Sequence, residues 1–159
     1  MFDELVEIIL HHEGGLVDDP NDPGGRTIYG ISITHHPNAW ADGTPTKDDA
    51  KAIYKRDYWD KVKGDLLHPA IALCVFDSAV NQGTRTASKM LQRACGAGVD
   101  GIIGPNTAKK ANKNPGRTVE RFMVKRVEHY ASIKGWKHYS TGWMKRIFRV
   151  HTDAVKRLD

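Results

Sequence analysis

Residues 12–32 read HEGGLVDDPNDPGGRTIYGIS, and this stretch carries two carboxyl groups in contrasting surroundings. Glu13 falls in the last turn of an amphipathic helix. A carboxyl group there sits beside the negative end of the helix dipole, with Ile9, Leu10 and Leu16 close enough in sequence to shield it from water, and both effects favour the protonated form. A protonated glutamic acid is what a general acid requires. Asp22 lies in a turn followed by Gly24, Gly25 and Arg26, whose backbone N–H groups and guanidinium favour its charged form. Two carboxyl groups pushed apart in this way make an acid and base pair. In glycoside hydrolysis one protonates the leaving oxygen, while the other activates water or stabilises the oxocarbenium-like transition state from across the sugar. The competing reading is that Asp18, Asp19 and Asp22 are solvated turn residues. A calcium loop fits poorly, because the D-x-D-x-D-G spacing and a terminal bidentate Glu are missing.

Other chemistries find less support. His11-His12 and His35-His36 are adjacent pairs whose side chains diverge, and no H-E-x-x-H is present, so no zinc site is expected. Ser78 and Ser88 lack a nucleophile elbow. The DGIIGP segment lacks the Lys-Ser/Thr of a phosphate loop, so its glycines are expected to shape a tight turn. Cys74 and Cys95 stand among apolar residues without a CxxC pattern and read as buried thiols. No metal or organic cofactor is expected.

The elements that must hold these residues are mostly helical. Leu5, Val6, Ile9 and Leu10 recur at helical spacing and stop at Gly14-Gly15, predicting a helix over residues 3–13 with a left-handed glycine cap. RTIYGISI has β-branched residues in partial alternation and predicts a small hairpin or an irregular β-lobe. Thr46 and Asp49 suggest a capping box opening a helix that runs to about Lys61. Pro69 suits the first turn of AIALCVFDSAVNQG, the expected buried centre, which Gly83 stops. Thr84–Cys95 continues helical, Pro105 opens a short helix, Pro115-Gly116 breaks the chain, and two last helices are expected over 118–134 and 142–158. The sum is mainly α with one minor β element.

At 159 residues, 40% hydrophobic and 27% charged, the chain suits one compact domain, with functional regions over 1–70, 71–114 and 115–159. Its apolar stretches fall far below the ~20 residues that span a bilayer, and its acidic N-terminus does not read as an export signal. Charge is uneven: residues 117–159 hold 11 Lys/Arg against 4 Asp/Glu, whereas residues 1–116 hold 13 against 15. Arg117, Arg121, Lys125, Arg126, Lys134, Lys137, Lys145, Arg146, Arg149, Lys156 and Arg157 are interleaved with Trp136, Tyr139, Trp143 and Phe148. Such a surface suits an anionic envelope or plain solubility; nucleic acid is not expected, because no groove-reading motif accompanies the charge.

The first stretch resembles the E-G-G-x-V-x-D-P-x-D-x-G-G-x-T-x-x-G-I signature of the glycoside hydrolase family 108 lysozymes, which occur among phage endolysins and secretion-associated bacterial muramidases. A second stretch, FDSAVNQGTRTASKMLQRACGAGVDGIIGPNT, is similar to that family's downstream region, a predicted peptidoglycan-binding domain. It carries the A-V-N-x-G, L-Q-x-A and D-G-x-x-G-P-x-T elements, and together the two stretches cover residues 10–34 and 76–107. The resemblance implies a lysozyme-like α-helical fold with a small β-hairpin lobe near the N-terminus. It implies cleavage of the β-1,4 bond between N-acetylmuramic acid and N-acetylglucosamine in peptidoglycan, with Glu13 as the catalytic acid. By analogy with phage lysozymes that use a Glu, Asp, Thr constellation, Asp22 and Thr27 handle the water. Tyr29 and Asn81 fall on family positions that suit the sugar cleft, Tyr29 by stacking and Asn81 by hydrogen bonds to an acetamido group; a buried capping role for Asn81 is the alternative. Leu16 replaces a commoner aromatic. The expected setting is a monomer held in the host cytoplasm, released to the wall, with the basic C-terminal helices touching the anionic outer membrane. Two alternatives stay open: a non-catalytic peptidoglycan-binding module, and a lytic transglycosylase in which Glu13 works alone.

Overall fold

The computed structural model of the chain describes residues 1–18 and 24–159. The chain divides into two compact units, residues 1–57 and 58–159. Among the described residues it is mainly helical, with seven α-helices and one small two-stranded antiparallel sheet. No helix among them is long and apolar enough to cross a membrane.

The first unit opens with α1 (Phe2–Glu13), which buries Leu5, Val6, Ile9 and Leu10 as their spacing predicts. Its expected left-handed cap takes another form. Gly14 has φ 82° and ψ −174°, a region open essentially to glycine alone, while its N–H still donates to Leu10 O at 3.3 Å. Strands β1 (Thr27–Ile28) and β2 (Ile31–Ser32) pair antiparallel in the register Thr27 to Ser32 and Ile28 to Ile31. The two-residue connection, Tyr29-Gly30, has φ 51° and 75°. Positive φ at both positions is what a type I′ hairpin turn demands. Val17 pairs with Thr27 through two backbone hydrogen bonds of 2.8 and 2.9 Å, tying the segment after α1 to the hairpin. Trp40, buried in a 3₁₀ turn over Pro37–Trp40, donates its indole N–H to Ile31 O at 3.3 Å.

Helix α2 (Lys47–Tyr54) starts with the predicted capping box: Thr46 Oγ1 accepts from Asp49 N, and Asp49 Oδ2 accepts from Thr46 N at 2.8 Å. It does not run on as an α-helix to Lys61. After Tyr54 the chain widens into a π turn over Lys55–Trp59, which changes the phase of the helix. Trp59 at its end is fully buried, edge-on to Phe76 with ring centroids 5.3 Å apart, and Gly64 leaves room for its ring.

The second unit is built around α3 (Pro69–Gln82), whose residues Ala70 to Ala79 are all buried. Around it pack α4 (Thr84–Cys95), α6 (Pro115–Ser132) and α7 (Trp136–Val155), with α5 (Pro105–Asn112) against α4 and α6. The DGIIGP segment is a tight turn, in which Gln92 donates to Asp100 Oδ1 and Ile102 O and accepts from Gly101 N. Two expected boundaries move. Pro115 opens α6, because Asn114 Oδ1 accepts from Arg117 N as an N-cap and proline suits the first turn. The last helix starts at Trp136, six residues before Gly142. Gly135, at φ 96°, makes the turn, and stacking of Tyr130 on Trp143 at 4.6 Å fixes the helical turn that contains Gly142.

The basic C-terminal residues do not all face solvent. Arg126 on α6 is fully buried, with its Nη2 2.5 Å from Oδ2 of the equally buried Asp77 on α3. Arg146 on α7 reaches the same carboxylate, Nε at 3.0 Å and Nη2 at 2.9 Å from Oδ1. Two cations counted with a surface patch on composition alone thus link three helices inside the unit.

Candidate active site

Three elements of the first unit converge on Glu13. The residue ends α1 and is half-buried. A methyl group built on Gly30 would stand 3.2 Å from Glu13 Oε2 and 3.3 Å from its Cγ, and it would overlap the Tyr54 hydroxyl. The hairpin turn therefore has to carry glycine at this point for two reasons: φ is positive, and the carboxyl group occupies the space a side chain needs. Tyr54 comes from the end of α2, is 2% exposed, and donates its hydroxyl to Tyr29 O at 2.9 Å.

The two helices are fastened to each other one turn and a half earlier. Glu7 on α1 pairs with Lys47 and, at 2.7 Å, with Lys51, both on α2. Hydrogen bonds from Lys47 and then Lys51 hold the Glu7 carboxyl below the usual carboxylate range. Ile9 and Leu10 are buried on α1, whereas Leu16, expected to help shield Glu13, is 54% exposed.

Thr27 opens β1, three residues before Gly30, and is half-buried. Its backbone N–H and C=O pair with Val17, and its hydroxyl donates to Gly25 O at 3.1 Å, which leaves the oxygen as an acceptor. Tyr29 holds the first turn position, with its carbonyl accepting from Tyr54. Asp22 lies outside the described residues. Asn81 belongs to the second unit; it is exposed, and its Nδ2 donates to Asp77 O at 2.8 Å, one turn back along α3. Of the alternative reading of Asn81 the burial fails and the local bond to the backbone of α3 is present, beside the cap at Gly83.

The structure thus brings Glu13 together with the turn that contains Tyr29, and adds Gly30 and Tyr54, which sequence reasoning passed over as site residues. Gly30 had a signal: a glycine after tyrosine between two short β-branched runs is a hairpin turn with one obligatory position. Tyr54 had none, because at helical spacing it reads as one more core residue. A concavity of about 620 Å³ in the same unit is lined by His35, His36, Asp42, Thr46, Asp49 and Arg56, apart from these residues. Burial there holds the His36 imidazole below its ordinary range. Among the described residues no three His, Cys, Asp or Glu side chains gather as a metal site would need.

Comparison with known proteins bears on both units. The family model for glycosyl hydrolase 108 matches residues 6–83, and that for a predicted peptidoglycan domain matches residues 86–148. No curated protein sequence matches. Among solved structures, SagA from Brucella abortus is 31% identical, with a TM-score of 0.84 over 98% of this chain and 94% of that one.

Proposed function

Because the chain belongs to the glycosyl hydrolase 108 family and carries a peptidoglycan domain, it is a glycoside hydrolase of the peptidoglycan-directed kind, and we propose that it cleaves the β-1,4 bond between N-acetylmuramic acid and N-acetylglucosamine. In this reading Glu13 gives its proton to the bridging oxygen as the C1–O bond breaks. A water held by Thr27 then adds its oxygen to C1 and passes its proton to Asp22, so the products together gain one water. Tyr29 stacks on a sugar face.

The observation that carries the reading is the fit of Glu13 against Gly30. A carboxyl group half-sheltered at a helix end, with glycine at the turn position that faces it, suits a group that must meet a bulky substrate oxygen while keeping a fixed position.

The test is loss of turbidity in chloroform-permeabilised Gram-negative cells. Glu13→Gln is expected to abolish lysis with little change in melting temperature, whereas an unaltered lysis rate removes the assignment. Mass spectrometry of the released fragments separates hydrolysis from transglycosylation, whose anhydro product is lighter by one water. Full activity of Asp22→Asn would favour the mechanism with Glu13 alone.

The envelope reading has its own support in α7. Phe148 is 67% exposed and lines a shallow apolar hollow beside Lys145 and Arg149. An exposed aromatic and cationic helix face suits the anionic outer leaflet met on the way to or from the wall. Dye uptake by intact Gram-negative cells is expected to fall in Phe148→Ser with wall hydrolysis retained.

A further inference from the structure

A groove of about 310 Å³ in the second unit lies where the end of α4, the end of α5 and the first turns of α6 meet. Its charged lining is Lys110, Lys113, Arg117 and Arg121; no acidic residue lines it. The other polar lining groups are already engaged: Asn114 Oδ1 accepts from Arg117 N, and the Thr118 hydroxyl donates to Ala111 O at 2.8 Å. Lys110 donates to Gly96 O at 2.8 Å, a neutral partner. Cys95 offers no compensating anion, because burial pushes its thiol pKa up. Four cations around a small concavity repel one another, and the α6 N-terminus adds its positive dipole end to the same place. An arrangement of this sign is relieved by an anion.

The size and spacing narrow the ligand. Arg117 and Arg121 stand one helical turn apart, so their guanidinium planes offer two adjacent forks of the kind that bind carboxylates bidentately. The volume is at the small end of ligand pockets, enough for a short chain segment and less than a run of sugars. Ala94, also in the lining, offers contact to a methyl or methylene group. Neutral glycan cannot use the charge; the peptide stems that hang from it carry free carboxylates and short apolar side chains. We propose that this groove binds the carboxylates of the peptidoglycan stem peptide, so that the second unit grips the peptide while Glu13 works on the glycan. The inference rests on peptidoglycan being the substrate, and it assigns a contact to a different polymer component from the one hydrolysed.

The experiment uses the full chain as Glu13→Gln, which binds without cutting. Binding is measured to native sacculi, to sacculi whose carboxylates have been amidated with carbodiimide and ammonia, and to native sacculi in competition with free stem tripeptide or inorganic phosphate. Amidation is expected to weaken binding about tenfold or more, as is Lys113→Gln/Arg117→Gln/Arg121→Gln, and the triple variant should no longer respond to amidation. The stem tripeptide should compete, and phosphate at the same ionic strength should not. Binding that survives amidation, or a folded triple variant that binds like its parent, overturns the proposal; so does competition by phosphate alone. If the triple variant does not fold, the amidation arm on the parent still decides. Hydrolysis of peptide-free glycan strands, measured with Glu13 restored, reports separately on the muramidase reading: the groove variants are expected to keep it, and its absence in the wild-type chain would sink that reading without touching the binding result.

Discussion

The Tyr54 hydroxyl donates a 2.9 Å hydrogen bond to the carbonyl of Tyr29, a residue held at φ 51° in the hairpin turn that flanks Glu13. A tyrosine in the left-handed region is under strain, and this bond is what fastens the turn to the end of α2. Tyr54→Phe removes the bond and keeps the ring. The expected stability loss is about 0.5–1.5 kcal/mol, the usual worth of one neutral hydrogen bond, together with a fall in kcat out of proportion to it as the turn loosens beside the acid. Thermal melting and initial lysis rates, measured on the same preparations, check both halves. Activity that falls only as far as folded protein does would reduce Tyr54 to a packing residue.

Gly30→Ala tests the same corner from the other side. Its methyl group would meet the Tyr54 hydroxyl and crowd Glu13 Oε2, and alanine is disfavoured at φ 75°. Strain of about 1–3 kcal/mol is expected, and either the carboxyl or the tyrosine has to move. Lysis should be nearly lost while the far-ultraviolet circular dichroism of the helices persists. Pairing Gly30→Ala with Tyr54→Phe should recover part of the stability, because removing the hydroxyl opens space for the methyl.

Much of this geometry was legible in the chain, for identifiable reasons. The end of α1 at Glu13, the Thr46 and Asp49 capping box and the Pro69 start of α3 are local devices, decided within three or four residues. The hairpin at Tyr29-Gly30 is legible too, since no residue type substitutes freely for glycine there. What the sequence could not state was tertiary. Tyr54 and Asp77 look like a core residue and an inward-facing oddity until their partners, 25 and 69 residues away, are known. The π turn after Tyr54 and the helix running through Gly142 follow from how Trp59 and Trp143 pack, which propensity does not report. Arg126 and Arg146 were counted with the basic face because charge totals carry no direction.

The buried cluster at Asp77 gives a large stability prediction. Asp77→Ala leaves Arg126 fully buried without its counter-charge, and losing one partner of such a pair costs about 3–5 kcal/mol. Arg146→Gln should cost much less, because its side chain is 19% exposed and Arg126 still satisfies the carboxylate. Urea unfolding of the three proteins orders them. Equal losses for the two variants would mean that Asp77 is held mainly by Arg146 and that the Arg126 contact contributes little.

The cysteines predict an alkaline limit to stability. Burial pushes the Cys74 thiol up to about 12 from an ordinary value of 9.0. Between these values the unfolded chain releases the proton and the folded chain keeps it, so the unfolded state binds fewer protons and stability falls as pH rises. The contribution is intact below about 9 and is lost progressively as pH climbs through the folded value near 12. Replacing Cys74 by Ala should flatten the decline of melting temperature across this range, whatever it does to the absolute value through packing. A thiol reagent should find Cys95, which is partly exposed, well before Cys74, and should reach both only on unfolding. Fast labelling of two thiols in the native protein would show that α3 opens on the timescale of the reaction, and the steep alkaline decline would then need another source.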